Sequence, residues 1–142
     1  MNEYQKPLPF PTQDTREYWE GCRRHELLIQ KCRGCGNYRF YPRPMCPECN
    51  SLDGEWIRAG GKGRIYSWTV AVRQFHPAFE VPYVIAIVEL EEGVRMTTNV
   101  INCRPEELYV GMPVEVVFED VTEEISLPKF GPIKDLLREK VI

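Results

Sequence analysis

The chain has 142 residues, 43% of them hydrophobic and 27% charged, with a formal net charge of -3, a composition ordinary for a globular protein of one modest domain or two small ones. No apolar run approaches the roughly 20 residues that a bilayer-spanning helix requires, which excludes such a helix. The charge is uneven, with 12 Lys/Arg against 8 Asp/Glu in residues 1–73 and 6 against 13 in residues 74–142; this favours a local anionic ligand over a whole surface adapted to nucleic acid.

The opening residues, Met1 to Phe10, are polar and proline-interrupted rather than signal-like, so a reducing, cytoplasmic setting is expected. Pro7, Pro9 and Pro11 keep the chain extended, and Asp14-Thr15-Arg16-Glu17 then reads as a capping box that starts a helix ending near Gly21 or Cys22. Tyr18, Trp19 and Cys22 share a face of that helix and need an apolar surface to dock on. Leu27 to Lys31 is strand-like, and the segment from there to Asp53 is rich in Cys, Gly, Pro and Asn, too poor in apolar residues to fold without a staple.

After Gly60-Gly61-Lys62-Gly63 the pattern changes to alternation with period two, giving strands at Arg64 to Arg73, Tyr83 to Leu90, Val94 to Ile101 and Val114 to Val121. Glu91-Glu92-Gly93 is a hairpin connection in which Gly93 supplies positive φ. Arg104 to Leu108 starts like a helical turn, with Asn102 as its cap and Pro105 early in the turn. A weaker fifth strand involves Ile125 to Leu127, and Ile133, Leu136, Leu137 and Val141 have helical spacing in the last ten residues. Five strands with a helical turn between the third and fourth is the element order of an OB-fold barrel.

Cys32-Arg33-Gly34-Cys35 and Cys46-Pro47-Glu48-Cys49 are two C-x2-C knuckles. The two-residue gap lets both sulfurs of a knuckle reach one ion, and Gly36 and Asn50 turn the backbone afterwards. Four thiolates make a closed tetrahedral site whose binding energy, about 10–16 kcal/mol in comparable peptides, goes into folding rather than hydrolysis. Structural Zn2+ on Cys32, Cys35, Cys46 and Cys49 is the expected occupant, with a rubredoxin-type iron centre and incidental thiols as competing readings. Lys31, Arg33, Arg39 and Arg43 lie close enough in sequence to offset the excess negative charge.

Cys22 and Cys103 have no partner in sequence and read as small buried hydrophobes. His25 and His76 are the only histidines, and loop placement is the simpler reading of His76. The Gly60 to Gly63 segment lacks P-loop spacing and reads as a hinge between modules. Glu91-Glu92, Glu106-Glu107 and Glu123-Glu124 sit at turns as solvated charge. Tyr38-Arg39-Phe40-Tyr41-Pro42-Arg43-Pro44 mixes aromatic and basic side chains; it suits stacking an adenine and pairing phosphates, and equally suits packing a ribbon against a barrel.

Taken together, Tyr18-Trp19, the two knuckles with Tyr41-Pro42-Arg43 between them, Gly61-Lys62-Gly63 leading into Ile65-Tyr66-Ser67, and Leu127-Pro128-Lys129-Phe130 resemble the DUF35 family over nearly the whole chain. The resemblance implies a mainly β protein: an N-terminal helical extension (1–26), a rubredoxin-like zinc ribbon (27–57), a five-stranded OB-fold (58–132) and a short C-terminal helix or tail (133–142). It further implies an acyl-CoA-associated accessory subunit in a complex with a thiolase-superfamily enzyme, a thiolase or a 3-hydroxy-3-methylglutaryl-CoA synthase-like partner, which carries the catalytic residues. The family pattern transfers the four cysteine ligands; Arg39, Phe40, Arg43, Lys62, Arg64 and Trp68 are expected CoA contacts from charge and aromaticity alone. Two further classes compete: single-stranded nucleic-acid binding, which the pI near 5.5 disfavours, and a small enzyme using Cys22, Cys103 or His76.

Overall fold

A computed structural model of the chain describes residues 4–133. The proline-punctuated start remains extended and leads into α1 (Arg16–Arg23), whose N-cap position is held by Thr15 without a side-chain cap bond. The expected Asp14 cap is therefore absent; Thr15 is turned backwards instead, its Oγ1 accepting from the Thr12 N–H at 2.9 Å. The amphipathic face forms as expected, with Tyr18 and Cys22 buried and Trp19 packed against the same core.

The cysteine-rich segment forms a small antiparallel sheet, β1 (Leu28–Cys32) flanked by β2 (Tyr38–Arg39) and β3 (Gly54–Arg58). Five longer strands follow: β4 (Lys62–Ala71), β5 (Tyr83–Leu90), β6 (Arg95–Val100), β7 (Pro113–Asp120) and β8 (Ser126–Pro132). They close into a barrel in the order β4-β5-β6-β8-β7, with a short 3-10 turn, Pro105–Glu107, between β6 and β7. This is the OB topology that the element order implied.

Three local expectations are corrected. Asn102 does not cap the 3-10 turn: it takes a left-handed conformation, φ 65, and Arg104 occupies the cap position, its N–H donating to Glu107 Oε1 at 2.7 Å. The fifth strand runs well beyond Leu127, to Pro132. Lys62 and Gly63 are not a hinge but the first residues of β4, Gly63 pairing with Leu90 on one side and Val114 on the other. The helix expected from Ile133 to Ile142 falls, after its first residue, outside the described residues.

Ile65, Val88, Val114, Met112 and Phe130 fill the barrel. Tyr18, Cys22, Leu27 and Ile29 join the same apolar cluster, so helix, ribbon and barrel share one core. The Ala59 N–H donates to the Leu27 carbonyl at 2.8 Å, extending the β1–β3 ladder, and the Val116 N–H to the Gly61 carbonyl at 2.7 Å, extending the β4–β7 ladder, so the chain passes from one sheet to the other with its backbone paired on both sides of the crossing. At the surface His25 lies flat on Phe118, ring centroids 5.2 Å apart, and bonds to Asp120 at 2.8 Å. That bond lowers the Asp120 carboxyl below its ordinary range.

One part of the barrel wall is thin. β6 pairs with β5 along its length but joins β8 at one end, through Val100 and Phe130 and the Ile101 N–H donating to the Phe130 carbonyl at 2.8 Å, with the Thr98 hydroxyl donating to the Pro128 carbonyl at 3.3 Å. In the gap the Thr97 N–H donates to the Tyr41 hydroxyl at 3.1 Å, so a ribbon side chain stands where a neighbouring strand would.

Gly63 tests the barrel most directly. A methyl group there meets the Glu89 carbonyl oxygen inside contact distance and Val88 Cγ1 at 2.9 Å, and neither wall yields cheaply. Gly63→Ala is expected to destabilise the fold by about 2–4 kcal/mol, read as a lower midpoint in urea unfolding; an unchanged midpoint would refute this close-packed β4.

Candidate functional site

Cys32 ends β1 and Cys35 follows one tight turn; Cys46 and Cys49 repeat the arrangement on the opposite loop. Both knuckles are closed in the same way. The Gly36 N–H donates to the Cys32 carbonyl at 2.8 Å and the Asn50 N–H to the Cys46 carbonyl at 2.9 Å, and Gly36 and Asn50 take positive φ. Backbone N–H groups of Gly34 and Cys35 point at Cys32 Sγ, and that of Glu48 points at Cys46 Sγ.

The four sulfurs lie within 4.8 Å of one another. Cys32 Sγ is 3.5 Å from Cys49 Sγ and Cys35 Sγ is 3.7 Å from Cys46 Sγ. A tetrahedral ion with metal–sulfur bonds of about 2.3 Å needs edges of about 3.8 Å, so the cage has the size for one thiophilic divalent cation. Cys32 and Cys46 are buried, whereas Cys35 and Cys49 face solvent. With four protein ligands no position remains for water, and the centre serves architecture rather than Lewis-acid catalysis.

Backbone hydrogen bonds from the Cys35 N–H above all hold the Cys32 thiol down to about 6. Cys49 is pushed up to about 12, the Ser51 N–H opposing the rise and the neighbouring Cys32 driving it. Cys46 is lowered as well, above all by the Cys49 N–H, so the buried sulfur of each knuckle is the one whose thiolate the backbone favours, and binding an ion expels protons from the cluster.

The six residues expected to contact a ligand do not converge. Arg39 is buried, its Nε donating to Gln30 Oε1 at 2.9 Å and its Nη2 to the Arg43 carbonyl at 3.0 Å. Arg43 is held by its own N–H, which donates to the same Gln30 oxygen at 2.7 Å. Phe40 packs on Tyr18, centroids 5.4 Å apart. Lys62 and Arg64 lie on β4, at a cleft shared with Pro113 and Ile133, and Arg64 Nη1 donates to the Gly111 carbonyl at 2.9 Å. Trp68 is packed against the barrel core.

What the fold does assemble is an apolar cleft of about 370 Å3 along the seam. Trp19, Phe40 and Tyr41 form one wall, and Thr97, Leu127 and Pro128 form the other. The barrel wall of this cleft escaped sequence reasoning because it depends on where β6 and β8 diverge. The Leu127-Pro128-Lys129-Phe130 run was visible, but its position opposite Tyr18-Trp19 was not.

The remaining candidates have structural surroundings. Burial pushes the Cys22 thiol up to about 12 and raises that of Cys103, to which the Glu107 charge adds. His76 Nδ1 accepts from the Ala78 N–H at 3.0 Å and its ring meets Phe79 edge-on. Among the described residues no helix is long and apolar enough to cross a membrane.

Cys46→Ser removes a buried ligand and should lose the ion, melting β1 to β3 and destabilising the chain by about 3 kcal/mol or more. Metal content and near-ultraviolet circular dichroism check this. Because protons compete for the sulfurs, metal affinity should fall as pH falls, measured by chelator competition at several pH values; an ion held equally at acid pH would contradict thiolate ligation.

Comparison with known proteins agrees with this architecture. A family model described as ChsH2, rubredoxin-like zinc ribbon domain matches residues 19–53, and one described as ChsH2, C-terminal OB-fold domain matches residues 56–119. A probable enoyl-CoA hydratase alpha subunit of Thermomonospora curvata is 40% identical over 127 residues, 89% of this chain, but the chain spans only 40% of that protein's length. A DUF35 domain-containing scaffold protein of Methanocaldococcus jannaschii is 41% identical over 105 residues, 71% of this chain and 73% of that protein. Among solved structures, a chain described as Ltp2-ChsH2(DUF35) aldolase is 40% identical with a TM-score of 0.82, covering 88% of this chain and 98% of its own. The paired ribbon and barrel, and a scaffold relative matched over most of its length, make this chain a member of the DUF35 family.

Proposed function

We propose that the chain is a noncatalytic, zinc-containing accessory subunit that binds or helps form the acyl-CoA site of a partner enzyme and bridges subunits of that assembly. The observation that carries this reading is the likeness, over 98% of its length, to a DUF35 chain described as part of an aldolase. The Thermomonospora relative, described as a hydratase subunit acting on an enoyl-CoA, supports acyl-CoA chemistry. The metal is zinc: the four thiolates form a closed tetrahedral cage of the right size, and the matching ribbon model is described as a zinc domain, which favours zinc over the iron that the same geometry would accept. The partner is a thiolase-superfamily enzyme, a thiolase or one like 3-hydroxy-3-methylglutaryl-CoA synthase, as the family resemblance implies. It supplies the catalytic residues.

A surface feature supports association. In the β4–β5 loop Phe75 is 77% and Val72 75% exposed. The loop is nonetheless ordered from within, Gln74 Nε2 donating to the Pro77 carbonyl at 3.1 Å and the Phe79 carbonyl at 2.8 Å. An apolar tip fixed before contact loses little entropy on docking.

Co-expression with the thiolase-like enzyme of the same source tests the reading. The two should co-purify, and omitting this chain should abolish turnover of the acyl-CoA substrate; a partner fully active alone would end it. Phe75→Ser is expected to weaken the complex about tenfold or more by calorimetry while leaving the melting midpoint unchanged.

A further inference from the structure

The two sides of β4 are paired unequally. β5 accompanies one side from Gly63 to Ala71, whereas β7 accompanies the other only from Lys62 to Arg64. On that second side the Ile65 N–H still donates to the Met112 carbonyl at 3.0 Å, and the Gly111 N–H to the Ile65 carbonyl at 2.7 Å. Among the described residues, backbone pairing there ends at Ile65. The far part of this strand of 10 residues is therefore an edge.

The register fixes which groups line it. Thr97 stands opposite Ile87 and turns its N–H away from β5, toward the Tyr41 hydroxyl. Ile87 accordingly turns its own backbone groups toward β4, as do Ile85 and Tyr83 at every second residue. Tyr66 is the extra residue of a bulge, after which Ser67, Thr69 and Ala71 stand opposite Ile87, Ile85 and Tyr83 and exchange bonds with them. Trp68 and Val70 lie between these and direct N–H and C=O to the open side.

The sequence does nothing to blunt this edge. Natural edges carry lysine, proline or inward charge as protection, yet Ser67 to Val72 holds no proline and no charged residue. Ser67 and Thr69 are exposed. On β6, by contrast, the outward N–H of Thr97 is met by a phenol from the ribbon. Turned antiparallel on itself, the bare segment matches its own chemistry: with Thr69 opposite Thr69, Trp68 faces Val70 and Ser67 faces Ala71. Threonine pairs and pairs of an aromatic with a branched residue are favourable across strands, and no like charges oppose.

We propose that two copies of the chain join along this edge, antiparallel, about a two-fold axis at Thr69. Trp68 of each copy exchanges backbone bonds with Val70 of the other, and the two β4-β5-β6 walls become one continuous sheet. The pairing concerns assembly and stands whether or not an acyl-CoA is bound. It ends short of Phe75 and makes no use of it.

Sedimentation equilibrium and hydrogen exchange on the zinc-loaded full-length chain test it. The mass should rise from 16.6 kDa toward twice that value with concentration, reaching mostly dimer by about 1 mM, as suits a small interface. In dilute chain the Trp68 and Val70 amides should exchange fast, and pairing should slow them about tenfold or more; those of Thr69 and Ala71, bonded to β5, should be protected throughout. Thr69→Lys places like charges opposite each other at an exposed position. It should weaken the dimer about fivefold or more and leave the melting midpoint of the dilute chain unchanged, and mixing it with Thr69→Glu should restore pairing. A single-chain mass at every concentration would overturn the proposal. So would a dimer that leaves Trp68 and Val70 unprotected, or one that Thr69→Lys does not weaken. Protection that appears only when the thiolase-like enzyme is added would also overturn it, assigning the edge to the partner instead and leaving the accessory reading intact.

Discussion

The rest of the amino-terminal half depends on four sulfurs being drawn to one point. The ribbon has strands of five, two and five residues, far too little sheet to stand in water unaided. Its knuckles fix the ends of β1 and the loop that returns to β3, and only then does the short β2 have an edge to pair with. Arg39, Phe40 and Tyr41 sit on that return, so the orientation of these three side chains descends from the cage. The metal energy thus reaches the seam although no ligand touches the barrel core.

At the seam, apolar packing takes over from coordination. Tyr18, Cys22, Leu27 and Ile29 bury themselves in the same cluster as Phe130 and Val114, so neither module has a complete core of its own. Specific contacts across the seam include the His25 ring on Phe118, its bond to Asp120, and the Tyr41 hydroxyl at Thr97. Such a joint holds the clefts at fixed width, which a flexible connection between ribbon and barrel would not do.

Much of this was readable from residue order. Alternation with period two located β4 to β7 because inward positions such as Ile65, Val88, Met96 and Val114 are large and apolar at every second residue, although β5 also carries Ile85 and Ile87 on its outer side. The C-x2-C spacing located the cage because two sulfurs two residues apart have one common focus. Where reading failed, a local pattern had two physical meanings. Gly60 to Gly63 looks like freedom, yet Gly63 is needed for the close approach of the Glu89 carbonyl. The last strand, expected at Ile125 to Leu127, runs on through Pro128, Gly131 and Pro132, residues that weaken a strand pattern, because β7 pairs with it along its whole length. Asp14 matched a cap, but Thr15 took the place. Charge and aromaticity grouped six residues as one ligand surface, and the fold places Arg39 inside the ribbon, Phe40 on Tyr18, Trp68 against the barrel core and the two β4 cations at a separate cleft. Sequence spacing carries no record of which cation finds its acceptor at home.

The Tyr41 hydroxyl at Thr97 carries a consequence for how the two halves came to travel together. A barrel whose β6 and β8 join at one end and diverge at the other leaves main chain along a slit, and raw strand edges recruit strands from other molecules. By stoppering that slit with a phenol from next door, the zinc-bound lobe acts as a built-in guard against clumping. The barrel cut free would be expected to turn sticky before it lost its shape, which makes the ribbon a condition of staying dispersed in a crowded cell as well as a source of binding surface.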